Sequence, residues 1–174
     1  MKTSAAGHSL YRSAPRSVPS AALVNALQQL ATSGARLALG YAITATRARD
    51  PRAADVGASL ATLHRAVAEE LAAVLGSLGM SVPRTKPTCS ERLRWEWLAS
   101  TGLLTNGRAE LAVLDECTRI ERLAEDHVIL LNAEASALGI LELRQLVTRL
   151  QSARAASLRL QARAMDSSAP VTVG

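Results

Sequence analysis

A chain of 174 residues can bury one sizeable core, but aromatics make up only 2% of it and Phe is absent, so that core has to be assembled from Ala, Leu and Val. Those residues favour helices, whereas strands call for β-branched and aromatic side chains, and the expected class is all-α. A formal charge of +5 permits an anionic partner without specifying one, and no apolar run approaches the roughly 20 residues of a membrane-spanning helix.

Residues 1–19, rich in Ser, Pro and Arg, have no apolar period and are expected to form a disordered basic tail. No acidic residue precedes Asp50, while Lys2, Arg12, Arg16, Arg36, Arg47 and Arg49 do. Such a start resembles a transit peptide, yet the helical period begins near Leu23 and leaves little room for one. From Ser20, an N-cap residue, the positions Leu23, Leu27, Leu30, Gly34, Leu37, Tyr41, Thr44 and Ala48 recur at spacings of three and four and predict one long helix. Asp50 as N-cap and Pro51 at the first helical position start a second. Its inward face is read as Val56, Leu60, Leu63, Val67, Leu71, Val74 and Leu78, with Gly79 as its end.

The connector "MSVPRTKPTCS" carries two prolines and cannot be helical throughout. After it, Ser90 is read as the cap of a short amphipathic helix with Leu93, Trp97, Leu98 and Leu104 inward, and "TNG" at 105–107 as the next break. Trp95 and Trp97 would pin this piece over the other helices. The third long helix has the clearest stripe, Leu114, Cys117, Glu121, Ala124, Val128, Leu131, Ala135 and Leu138, in which one position is a carboxylate. The chain turns at Gly139, and Leu143, Val147, Leu150, Ser157, Leu160 and Ala164 mark a fourth helix, leaving 166–174 as a flexible tail. Short links near 50 and 139 and one long crossover from 80 to 105 predict two antiparallel hairpins.

The stretches "GYAITATRARDP", "VAEELAAVLGSLG" and "LDECTRIERLAED", together with the tryptophan-bearing crossover, resemble the ferritin-like proteins, in particular small bacterial ones of unknown function. The resemblance spans residues 20–165. It implies an up-down four-helix bundle with a short helix in the crossover between the second and third long helices. In the metal-binding members, two helices supply one glutamate each and the other two a Glu-x-x-His pair, which together hold two iron or manganese ions. Carried over by position, Ala42 stands in the first glutamate slot, His64 and Val67 in the second helix's pair, and Arg154 and Ser157 in the fourth helix's pair. Only Glu121 keeps its identity, and Glu-x-x-His occurs nowhere in the chain. One carboxylate cannot compensate two metal ions in an apolar core; if any metal binds, Glu121 and His64 are the residues to hold it. The implied protein has no cofactor and is no enzyme.

A buried carboxylate needs compensation. Two readings stay open: Glu121 pairs with Arg154, with His64 or Ser157 completing the contacts, or Arg154 snorkels outward and Glu121 sits at a solvated rim. His127, Glu69 and Glu70 read as rim or solvent-face residues, and Cys117 as a small buried apolar one. Cys89 and Cys117 form neither a disulfide framework nor a CxxC pair, which suits a reducing cytoplasm. Arg144, Arg149, Arg159 and Arg163 form a basic outer face that could take an anion, weakly a nucleic acid, although no helix-turn-helix or stacking aromatics accompany it. GxSxG, GK[ST] loops and HExxH are all absent. The expectation is a cytoplasmic, non-catalytic binding, assembly or stress-associated module that forms a homodimer or higher homo-oligomer through Ala-rich faces such as Ala31, Ala35 and Ala38. Its partner is undefined, it has no membrane association, and iron handling or oxidase activity is the alternative.

Overall fold

The computed structural model describes residues 19–106 and 108–166. They form five helices in order: α1 (Ala21–Arg47), α2 (Pro51–Ser77), α3 (Cys89–Asn106), α4 (Ala109–Leu138) and α5 (Leu141–Asp166), and no strand is present among the described residues. No helix among them is long and apolar enough to cross a membrane. The tails expected at either end, apart from residues 19 and 166, lie outside the described residues, as does Gly107 of the "TNG" break.

Local chemistry sets the helix ends. The Ser20 hydroxyl accepts from the Leu23 N–H at 3.0 Å, and the Asp50 carboxylate caps α2 behind Pro51. Gly79 and Gly139 take the left-handed conformation, with φ of 69° and 66°. Behind each, the N–H groups fold back on the last turn, Gly79 to Gly76 and Met80 to Leu75 in one case, Gly139 to Ser136 and Ile140 to Ala135 in the other. These paired bonds satisfy carbonyls that the helix end would otherwise orphan. The start of α3 differs from the expected Ser90 cap. Thr88 caps it instead: the Glu91 N–H donates to the Thr88 hydroxyl at 3.2 Å while the Glu91 carboxylate takes the Thr88 N–H at 2.7 Å. That reciprocal pair satisfies two donors at once, which Ser90 could not do from inside the first turn.

α1 packs against α2 and α4, α5 packs against α4 and α2, and α3 covers α4 and the edge of α1. Contacts Gly34 to Ala68 and Gly57 to Ala45 make α1 and α2 antiparallel. Ser20 reaches Glu134 and Tyr41 reaches Glu121, so α1 and α4 are antiparallel as well. Consequently α2 and α4 run in the same direction, and residues 78–108 have to carry the chain back along the molecule, which α3 does.

The inward face of α2 departs from the expected one only in part: Leu60, Val67 and Leu71 are buried as expected. Val56, Leu63 and Val74 are half-buried and Leu78 is exposed, while Ala53, Gly57, Ala61, His64, Ala68 and Leu75 take the inner positions. Small residues win because α1 comes so close: a Cβ on Gly34 would stand 3.2 Å from Ala68 Cβ and 3.3 Å from the His64 carbonyl. Leu138, expected inward on α4, is likewise exposed. On α3 the face is reversed. Leu93, Trp97 and Leu104 are 65%, 67% and 86% exposed, and Trp95 and Ala99 are buried. Gly40 makes the hole for Trp95: a Cβ there would lie 2.6 Å from Cys117 Sγ and 2.8 Å from the Trp95 ring.

Buried apolar residues form two clusters, one around Tyr41, Trp95, Cys117 and Leu160, the other around Leu27, Leu71, Leu131 and Leu146. On α1 the change from one to the other falls between Ala31 and Leu37, on α2 between Ala61 and Val67, and on α4 between Ile120 and Ala124. Gly34, His64 and Glu121 occupy that level.

Candidate functional site

Polar side chains of four helices meet at this level. Tyr41 on α1 and Ser157 on α5 are fully buried, His64 on α2 is 3% exposed and Glu121 on α4 is 8% exposed. The Tyr41 hydroxyl donates to Glu121 Oε1 at 2.7 Å and makes a second, short bond with the Ser157 hydroxyl. With the phenol proton committed to Glu121, Ser157 is the donor in that second bond. Burial, then the neighbouring Cys117 and Glu121, pushes the Tyr41 pKa above its ordinary value, so the phenol keeps its proton and remains a donor.

Burial also raises the Glu121 pKa, opposed by the Tyr41 hydrogen bond, by the nearby Ser157 hydroxyl and by the charge of Arg154. His64 stacks on Tyr41 with ring centroids 5.5 Å apart and planes 12° from parallel. Its Nε2 lies 3.9 Å from Glu121 Oε1, beyond a hydrogen bond, and neither ring nitrogen has a hydrogen-bond partner among the described residues. Burial lowers its pKa to about 4. The approach is therefore that of a neutral imidazole to a carboxyl group, not an ion pair.

The expected slots are filled as follows. The residue facing Glu121 from α1 is Tyr41, not Ala42, which is half-buried against the neighbouring apolar cluster. Tyr41 was already on the inward stripe of the sequence, and a buried phenol has to find a partner for its hydroxyl. Val67 points into the second apolar cluster. Arg154 pairs with Glu125, one turn after Glu121, through Nη2 to Oε2 at 2.9 Å. It is too exposed, at 38%, to serve as a buried counter-ion, and it acts on Glu121 only through its field. Ser157 joins the cluster through Tyr41.

Glu110 was missed by the sequence reading, although it lies four residues before Leu114 on the same stripe. It is 1% exposed and bound to Arg108, whose Nε donates to its Oε1 at 2.7 Å and whose Nη1 donates to the Ala164 carbonyl at 2.8 Å. Cys117 is fully buried, and burial with the nearby Glu121 and Glu116 drives its thiol pKa well above the ordinary value, which removes it as a nucleophile. His127 is half-buried on the rim, and its Nδ1 has no partner among the described residues. Of the four arginines of the basic face, Arg149 is tied to Glu70 with Nη1 to Oε1 at 2.6 Å, and the Arg159 guanidinium donates back to the Ala155 carbonyl. Arg144 and Arg163 are exposed.

A dinuclear iron or manganese centre, as the ferritin-like resemblance implies, needs several carboxylates and imidazoles converging. The residues do not fit one. Glu121 and His64 are joined by a phenol and a hydroxyl, Glu125 is engaged by Arg154, and among the described residues no three His, Cys, Asp or Glu side chains gather. Beside the cluster lies a cavity of about 120 Å³, bounded by His64 and Glu121 and by apolar side chains including Leu30, Leu37, Val128 and Leu150.

No protein-family model matches the chain, and no curated protein and no solved structure matches it either.

Proposed function

We propose that the chain is a ferritin-like, up-down four-helix bundle of α1, α2, α4 and α5 with α3 as its crossover helix, and that it is a non-catalytic binding or assembly module working without a di-metal centre. The parallel course of α2 and α4, which forces a long connection, supports the topology. One observation carries the functional reading: Glu121, the sole carboxylate in a ligand slot, accepts a hydrogen bond from Tyr41 on the helix where a second ligand would stand. A phenol and a hydroxyl occupy the positions from which donors to a metal would come; the phenol donates to the carboxylate and is itself held by the Ser157 hydroxyl. Association as a homodimer in the cytoplasm belongs to the same reading, with sedimentation velocity as its test.

Thermal unfolding with and without ferrous iron or manganese tests the functional claim, because a ligand held only by the folded state raises the unfolding temperature in proportion to the logarithm of its concentration. The reading expects superimposable curves. A rise that disappears in Glu121→Gln would favour iron handling or oxidase chemistry.

A further inference from the structure

The imidazole of His64 is almost wholly enclosed, yet both its nitrogens lack a partner among the described residues. Buried polar atoms are nearly always satisfied, so an orphaned pair beside a cavity points to an occupant of that cavity. The Tyr41 ring covers one face of the imidazole, leaving its edge for polar contact.

The dimensions restrict the occupant. The 3.9 Å from His64 Nε2 to Glu121 Oε1 is a gap that one oxygen atom bridges with two hydrogen bonds of about 2.8 Å. The remaining walls are mostly apolar, with Leu30, Leu37, Ala124, Val128 and Leu150 beside the polar Ser33 and Gln151, and the volume is about 120 Å³. An enclosed apolar cavity of about 150 Å³ takes up benzene; this one is smaller but opens at the half-exposed Arg154 and Glu125, so a single six-membered ring with its hydroxyl fits by reaching toward that rim. Water could bridge the polar end but would leave the apolar walls without a matching surface.

Charge restricts it further. At the rim Arg154 and Glu125 neutralise each other, and the inner end offers a neutral imidazole and a carboxyl group. An anion would meet Glu121, and an ammonium would have to shed its water against a neutral imidazole and a carboxyl group whose pKa burial already raises.

We propose that this cavity is a binding site for a small uncharged hydroxyl compound, a phenol or short-chain alcohol, whose oxygen bridges His64 and Glu121 while its apolar body fills the space between α1, α4 and α5. The inference rests on the cavity and the orphaned imidazole, and it deepens the binding role proposed above without depending on the ferritin-like topology.

Phenol, toluene and benzoate, titrated into the full-length protein and followed by calorimetry and by the ¹⁵N shifts of the His64 ring, test it. Phenol binds saturably and moves those shifts, toluene binds about tenfold more weakly for want of the bridging oxygen, and benzoate does not bind. Ala124→Leu, or Leu150→Phe should the first variant fail to fold, fills the cavity and abolishes phenol binding. His64→Phe keeps the stacked ring and lowers phenol affinity by about tenfold. Failure of phenol to saturate, equal affinity for toluene, or unchanged binding in a folded cavity-filling variant overturns the proposal. Tight metal uptake alongside phenol binding would overturn the metal-free reading and leave this one standing.

Discussion

The hydroxyl of Tyr41 donates to Oε1 of Glu121 across the interior at 2.7 Å, joining α1 to α4 at the level where the two apolar clusters meet. This bond, rather than an ion pair with Arg154, compensates the buried carboxyl group. Tyr41→Phe removes the donor from Glu121 and the acceptor from Ser157 while keeping the ring over His64, and it should destabilise the protein by about 1–3 kcal/mol in urea unfolding at neutral pH. Glu121→Gln should behave differently, staying within about 1 kcal/mol of the parent, because the amide carbonyl still accepts from Tyr41 and no buried arginine is stranded. A loss of several kcal/mol in the Gln variant would mean that a cation depends on Glu121 after all.

Acidification provides a second test. His64 titrates near 6.5 when unfolded but only at about 4 in the fold, so between those values the unfolded chain binds more protons and stability falls as the pH falls. Two to three pKa units correspond to about 3 kcal/mol. Glu121 works in the opposite sense: its raised pKa adds stability as pH falls toward the ordinary value of 4.5. The Glu121→Gln background isolates the histidine, where unfolding free energy followed from pH 7 to pH 4 should decline and His64→Phe should flatten the decline.

Glycine substitutions separate packing from propensity. Gly40→Ala places a methyl group 2.6 Å from Cys117 Sγ and against the Trp95 ring, and overpacking of this kind costs about 1–3 kcal/mol. Lifting α3 from α1 should also shift the Trp95 emission to the red. At Gly76 the nearest atom to an added Cβ is Val82 Cγ2 at 3.6 Å, and Gly76→Ala should stabilise by about 0.5–1 kcal/mol through helix propensity alone.

Two arginines with similar ion pairs should differ sharply on removal. Arg154 and Glu125 are 38% and 42% exposed, and Arg154→Ala should cost less than about 1 kcal/mol. Arg108 and Glu110 are 13% and 2% exposed. Losing Arg108 leaves a carboxylate buried without its partner, and Arg108→Ala should cost about 3–5 kcal/mol in the same unfolding assay.

The helix ends were legible in the sequence wherever the signal is local: Ser20, Asp50 with Pro51, Gly79 and Gly139 act within one turn of the chain. The inward faces of α1, α4 and α5 followed from the spacing of large apolar residues. The face of α2 followed only in part: Leu60, Val67 and Leu71 are buried as their spacing predicted, but Ala53, Gly57, Ala61 and Ala68 join them, and the burial of such small residues depends on how closely α1 approaches. The period placed Trp97 inward, yet Trp95 is the buried one, because the choice is made by a hole at Gly40, some 55 residues earlier in the chain. Within the polar cluster, Glu121 was identified from its place in an apolar stripe. Its partner was not, because Arg154 has the right charge but sits on the rim, whereas Tyr41 was counted as an apolar member of its own stripe.

The most direct measurement is the metal content of the folded protein purified from cells grown with excess iron and manganese, determined by inductively coupled plasma mass spectrometry on the parent chain and on Glu121→Gln. A core closed by Tyr41, His64, Glu121 and Ser157 should carry well under one metal ion per chain, with the parent and the variant alike. Two ions per chain in the parent, lost in Glu121→Gln, would contradict it.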